Sequence, residues 1–141
     1  DSFLIEITAD IFTNIDPDTN KPLVELIMDA AGQKGTGRWT VMSALELGVG
    51  IPTITAAVNA RIMSSIKEER VAASKELSGP SASFDGDTKA MINKIRDALY
   101  CSKICSYAQG MALIGAASKA YDYDVRRLEF GRGAALFGLA F

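Results

Sequence analysis

Residues 33–40 (QKGTGRWT) place two cations and two hydroxyl groups around two glycines, just ahead of an apolar helical pattern. Glycines let backbone amides approach an anion, a helix start adds partial positive charge, and a lysine contributes a mobile charge with three N–H donors. The segment therefore predicts a phosphate site. It matches neither the G-x-x-x-x-G-K-[ST] phosphate loop nor the G-x-G-x-x-G dinucleotide turn, so a solvated glycine loop remains open on these residues alone.

Arg61 is an isolated charge within the otherwise uncharged and mostly apolar residues 58–63, ahead of the charged cluster at residues 67–70. A guanidinium group can hold a phosphate through two parallel hydrogen bonds. Arg61 is therefore a candidate phosphate clamp, although its spacing is equally consistent with a structural salt bridge. The cluster at 67–70 is typical of a solvated helix face.

Composition excludes several classes of function. The chain has no histidine, so it lacks the most common general base near neutral pH and the most common zinc ligand; we predict neither serine–histidine catalysis nor a metal site. The net charge of -2 does not favour binding to nucleic acid or to an anionic membrane. No apolar stretch reaches the ~18 residues of a membrane span.

Cys101 and Cys105 lie four residues apart in an apolar helical pattern. This spacing stacks them on one helix face, and we interpret them as reduced core thiols rather than as a redox or metal pair. Together with the lack of a predicted membrane span, they indicate a soluble protein of a reducing compartment, the cytoplasm.

The apolar periodicity throughout is helical, and the predicted fold class is all-α in one domain over residues 1–141. Two long helices are expected, over about 52–77 and 87–121. The first begins at Pro52 and stops at Gly79-Pro80. Asp85 and Asp87 are alternative N-caps for the second.

Shorter helices are expected before these two. A turn at residues 16–20 separates a first helix from a second one that begins at Pro22 and ends at Gly32. Thr40 is a predicted N-cap for a third short helix, which Gly48 closes.

Four segments are specific enough to indicate a protein family: residues 1–8 (DSFLIEIT), 31–40 (AGQKGTGRWT), 67–74 (KEERVAAS) and 98–110 (ALYCSKICSYAQG). In this order, and over about residues 1–125, the chain resembles the 6-phosphogluconate dehydrogenase family. The resemblance covers part of that family's all-helical C-terminal domain, with no Rossmann domain in this chain.

The resemblance implies a reaction, a cofactor and a site. The family converts 6-phosphogluconate oxidatively to ribulose 5-phosphate and CO2, a step of the pentose phosphate pathway, with reduction of NADP, which a separate Rossmann domain binds. Its helical domain supplies most of the substrate pocket and the homodimer interface. By motif, Lys34, Thr36 and Arg61 are expected to contact the substrate, mainly at its phosphate.

The departures from the family are equally informative. The family's catalytic lysine and glutamate belong to a segment that would precede Asp1, so no catalytic, cofactor-binding or metal residue is assigned here and the isolated chain is expected to be inactive. Residues 124–141 diverge, and no site is carried past Tyr121. The alternative hypothesis is a non-catalytic helical assembly module with a vestigial phosphate pocket.

Overall fold

The computed structural model describes residues 3–80, 83–123 and 125. Their regular secondary structure is six helices, and the one β pairing among them is the isolated antiparallel bridge between Ile15 and Pro22, which confirms the all-α class. The chain divides into two compact units, one ending at Ala30 and the other beginning at Ala31. The prediction of a single domain stays a prediction.

The first unit holds helices α1 (Phe3–Thr13) and α2 (Leu23–Leu26). Between them, the Asp16 carboxylate accepts hydrogen bonds from the Thr19 amide at 2.8 Å and the Thr19 hydroxyl at 2.6 Å, which forms the predicted turn. The second helix is shorter than predicted, because Ile27 adopts an extended conformation with ψ 135° and ends it well before Gly32. Pro22, with an extended ψ of 127° in the bridge to Ile15, precedes the helix.

The second unit holds helices α3 (Thr36–Glu46), α4 (Pro52–Ser65), α5 (Lys67–Glu76) and α6 (Thr88–Ala120). Its small core joins α3, α4 and α6 through the buried side chains of Ala44, Ile51 and Leu113. Helix α6 is the predicted long helix, and Asp87 is its N-cap: the carboxylate accepts from the amides of Lys89 and Ala90 at 2.8 and 3.2 Å.

The predicted single helix over 52–77 is wrong in one respect, since the chain breaks at Ile66 into α4 and α5. Ile66 has φ -91° and ψ 53°, outside the helical region. The Ser65 hydroxyl donates to the Ile62 carbonyl at 2.7 Å, and Arg70 donates to the Ser64 carbonyl at 3.2 Å. These bonds satisfy carbonyls that α4 leaves at its end.

The predicted cap at Thr40 is also wrong. Helix α3 begins at Thr36 after Gly35, whose φ of 105° is accessible mainly to glycine. Thr40 lies inside the helix, where its hydroxyl donates to the Thr36 carbonyl at 2.8 Å. The helix start therefore falls within residues 33–40, the glycine segment.

The cysteines differ from the prediction of two core thiols. Both are free, but Cys101 is exposed and Cys105 half-buried. Burial raises the pKa of the Cys105 thiol, and the neighbouring Cys101 adds to the shift. None of the described helices combines the length and apolar content that a bilayer crossing requires.

Candidate functional site

The glycine segment and α4 enclose an open cavity of about 280 Å³. Helix α4 contributes one face to it, because Ile54, Ala57, Val58 and Arg61 recur at helical spacing. The segment contributes every residue from Gln33 to Arg38. The three residues predicted to contact substrate, Lys34, Thr36 and Arg61, thus line the same cavity; their role in binding stays a prediction.

The close approach of α3 to α4 depends on Gly37. A methyl group built at Gly37 would lie 2.9 Å from Cγ2 of Val58, inside the distance that real Cβ atoms keep. Glycine at this position lets the first turn of α3 pack against the middle of α4. That contact places Thr36 and Arg61 on the same cavity.

A hydrogen bond joins Arg61 to the residue just before the glycine segment. Its Nε donates to the Gly32 carbonyl oxygen at 2.5 Å. Among the described residues, the guanidinium makes this one hydrogen bond, through Nε. The N–H groups of its two terminal nitrogens can therefore donate to a ligand. The bond fixes the side chain of α4 beside the entry to the segment.

The cavity has a strongly positive character. Lys34, Arg38 and Arg61 line it, and no carboxylate of the described residues does. The amides at the start of α3 add to this character, since Gly35 supplies no side-chain cap and the first N–H groups of a helix have no intrahelical acceptor. The arrangement suits a small, multiply charged anion.

Trp39 shapes the segment from outside the cavity. Its indole lies 3.6 Å from the position of a Cβ built on Gly35, and the side chain is 59% exposed. The ring therefore packs over the positive-φ Gly35 and does not enter the core.

Sequence reasoning did not assign Arg38 to the site. Its signal was present, because Arg38 follows Lys34 by four residues around two glycines. The sequence predicted that the helix starts at Thr40, which leaves Arg38 in the preceding loop, where the direction of its side chain is not defined. With the start at Thr36, it falls in the first turn of α3 and reaches the cavity.

Comparisons with known proteins identify the family. The family model for the 6-phosphogluconate dehydrogenase C-terminal domain matches residues 1–132. A decarboxylating 6-phosphogluconate dehydrogenase from Synechocystis sp. is 70% identical over 131 residues, which are 93% of this chain and 27% of that protein. The Synechococcus elongatus enzyme of the same name is 69% identical over 134 residues, which are 94% of this chain and 28% of that protein.

A solved structure shows the same fold. The 6-phosphogluconate dehydrogenase of Plasmodium falciparum, solved in its apo form and in complexes with NADP+ and with 6-phosphogluconate, matches with a TM-score of 0.79 at 39% identity, over 92% of this chain and 28% of that one. This chain thus spans little more than a quarter of the relatives it matches. It belongs to the 6-phosphogluconate dehydrogenase C-terminal domain family.

Proposed function

We propose that this chain holds the phosphoryl end of 6-phosphogluconate and supports the dimer in a cytoplasmic 6-phosphogluconate dehydrogenase. The whole protein would convert 6-phosphogluconate to ribulose 5-phosphate and CO2 with reduction of NADP. The observation that supports this most strongly is the cationic cavity lined by Lys34, Thr36 and Arg61. The names of the relatives, decarboxylating 6-phosphogluconate dehydrogenases, agree with it.

Each proposed contact has a physical role. Arg61 would offer its two terminal nitrogens as a fork to two phosphate oxygens, while Nε stays on Gly32. Lys34 would neutralise charge as a mobile ammonium, and Thr36 would donate its hydroxyl. The free amides of the first turn of α3 would complete the set. The phosphate would thereby orient the substrate and leave its sugar-acid end to residues elsewhere in the protein.

The described residues do not fit NADP. A dinucleotide needs a strand, a glycine-rich turn and a helix N-terminus in succession, and the described part of the chain has one isolated bridge and no strand. We assign no catalytic, cofactor-binding or metal residue to this chain. The isolated 141-residue polypeptide is expected to give no NADP reduction with 6-phosphogluconate, and a measurable rate would contradict the proposal.

A face of α6 supports the dimerisation role. Ile92, Ile95 and Leu99 are exposed and recur at spacings of three and four, which places them on one side of the helix. An exposed apolar seam of this kind needs a covering surface. We propose that a second copy of the chain covers it.

The alternative is a non-catalytic assembly module whose phosphate pocket is vestigial. The small number of buried residues in the described chain, Ala44, Ile51 and Leu113, favours a role in packing. Both candidates predict association through α6. They differ in whether the cavity binds substrate.

Two measurements separate the candidates. Sedimentation should show a dimer that Ile95→Asp dissociates and that Asn93→Asp, about 100° or more around the helix from each of the three seam residues, leaves intact. Calorimetry should show binding of 6-phosphogluconate that Lys34→Ala or Arg61→Ala weakens by about ten- to hundredfold. A dimer without affinity for 6-phosphogluconate would favour the assembly module. Binding that neither substitution weakens would refute the site.

A further inference from the structure

The side chain of Gln109 on α6 forms a pair of hydrogen bonds, which we call the Gln109–Thr53 clip, with the first turn of α4, beside Ile54 of the cavity lining. The Thr53 amide donates to Oε1 of Gln109 at 3.0 Å, and Nε2 of Gln109 donates to the Thr53 hydroxyl oxygen at 3.0 Å. Both bonds are part-buried. The carboxamide thus uses its acceptor and one donor on a single residue of the neighbouring helix.

The first turn of α4 has a need that Gln109 meets. Pro52 lies at the helix start, and the N-cap residue Ile51 offers no side-chain hydrogen bond. The amides of a first turn have no intrahelical acceptor, so Gln109 supplies from α6 the cap that the local sequence lacks. Leu113, one turn further along α6, packs with Ile51 in the buried core. The contact between α4 and α6 therefore combines the hydrogen bonds of Gln109 with apolar packing.

The orientation of α4 decides where Arg61 lies. Arg61 follows Thr53 by eight residues, roughly 12 Å along the same helix at 1.5 Å per residue. A small rotation or slide at the first turn would therefore move the guanidinium relative to Lys34 and Thr36. Binding sites tolerate only about 0.5 Å of such displacement.

We propose that Gln109 is a positioning residue for the phosphate site. Its carboxamide holds the start of α4 against α6 and thereby orients the Arg61 side chain towards the glycine segment. This inference rests on the proposed function of the cavity. Gln109 does not line that cavity, so its effect on binding passes through α4.

The competing explanation is that Gln109 only stabilises the fold. A double-mutant cycle with Arg61 separates the two explanations. If Gln109 only stabilises the fold, the effect of Gln109→Ala does not depend on the Arg61 guanidinium. If Gln109 positions Arg61, the effect of Gln109→Ala on binding disappears when the guanidinium is absent. The cycle is to be measured in the protein expressed from its complete reading frame, with the dissociation constant for 6-phosphogluconate as the readout at a temperature where every variant is folded.

Gln109→Ala should weaken binding by about five- to tenfold in the Arg61 background. In the Arg61→Ala background it should change the dissociation constant by less than about twofold. The matched control Asn93→Ala, which truncates an exposed carboxamide on the same helix, should leave binding unchanged. Equal weakening of binding in both backgrounds, or none in either, would overturn the inference.

Replacements of similar size sharpen the test. Gln109→Glu keeps an oxygen for the Thr53 amide and can accept from the Thr53 hydroxyl, so it should recover most of the affinity. Gln109→Leu should not, and affinity at the wild-type level in that variant would refute the inference. If Gln109→Leu does not fold, Thr53→Val decides, since it removes only the hydroxyl half of the clip and should weaken binding by about two- to threefold.

Failure of the inference is distinguishable from failure of the proposed function. If Lys34→Ala and Arg61→Ala each weaken binding by about ten- to hundredfold while Gln109→Ala does not alter it, only the positioning role is lost. If Lys34→Ala and Arg61→Ala bind as the wild type does, the cavity is not the phosphate site and both proposals fall.

Discussion

Nε of Arg61 lies 2.5 Å from the carbonyl oxygen of Gly32, so a side chain from the third turn of α4 is fastened to the chain just before the glycine segment. This bond leaves the terminal nitrogens of the guanidinium as the part of Arg61 that can reach a ligand. A lysine at this position would retain the charge but lose both the bond and the fork.

Arg61→Lys should therefore bind 6-phosphogluconate less well than the wild type and better than Arg61→Ala. We expect a loss of about 1 to 2 kcal/mol in binding free energy, since one charge remains while the paired hydrogen bonds are lost. Calorimetry measures the difference. Affinity in Arg61→Lys equal to that of the wild type would contradict the proposed fork.

Gly37→Ala should separate α3 from α4. The added methyl group would lie 2.9 Å from Cγ2 of Val58, and overpacking of this kind destabilises by about 1 to 3 kcal/mol. Thermal unfolding should show the loss, and binding of 6-phosphogluconate should weaken with it. Val58→Ala in the same chain should restore both in part.

The control for this substitution is Gly50→Ala, since a methyl group at Gly50 meets no atom within 4 Å. It should leave binding unchanged. Equal effects of the two alanine substitutions would show that the contact between Gly37 and Val58 does not hold the site together.

Arg38→Gln should weaken binding mainly at low ionic strength. Arg38 lines the cavity beside Lys34 and Arg61 and is exposed, so its attraction for an anion is screened by salt. We expect a loss of a few-fold near 20 mM salt that largely disappears near ~0.5 M. Lys94→Gln, remote on the exposed part of α6, is the matched control and should show neither effect.

The turn at Asp16 should respond to acid. Hydrogen bonds from Thr19 hold the pKa of the Asp16 carboxyl below its ordinary value of 3.8. A depressed carboxyl pKa adds stability that is complete above the unfolded-state pKa and is lost as the pH falls through the folded-state pKa. The turn should therefore loosen only below about pH 4.

An NMR titration of the Asp16 carboxyl carbon measures this directly. Thr19→Ala removes the hydroxyl donor, which is the largest cause of the shift, and should raise the midpoint towards the ordinary value. A midpoint that does not move would show that the hydroxyl of Thr19 does not stabilise the carboxylate.

Much of the fold follows from the sequence, because strong local signals mark its long elements. Asp87 caps α6 as its carboxylate and position predict, and Pro52 begins α4 as its fixed φ predicts. The break at Ile66 was not predicted, since it depends on the bonds of Ser65 and Arg70 to carbonyls at the end of α4. The apolar repeat of Ile54, Val58, Ile62 and Ile66 runs up to the break, and its spacing gives no sign that the helix ends there.

The site was predicted less completely. Lys34, Thr36 and Arg61 are found together on one cavity, and the family resemblance was the signal for Arg61. The clip between Gln109 and Thr53 spans 56 residues of sequence, and no local pattern of residues indicates a contact at that range. Hydrogen-bond partners so far apart in the sequence can be identified only from the packing of the helices.

The most direct test of the proposed phosphate site is the preference of the protein for a phosphorylated ligand. Dissociation constants for 6-phosphogluconate and gluconate, measured side by side in the wild type and in the Lys34→Ala/Arg61→Ala double variant, isolate the contribution of the phosphoryl group. We predict that the wild type binds 6-phosphogluconate at least about a hundredfold more tightly than gluconate and that the double variant loses most of this preference. An unchanged preference in the double variant would contradict this prediction.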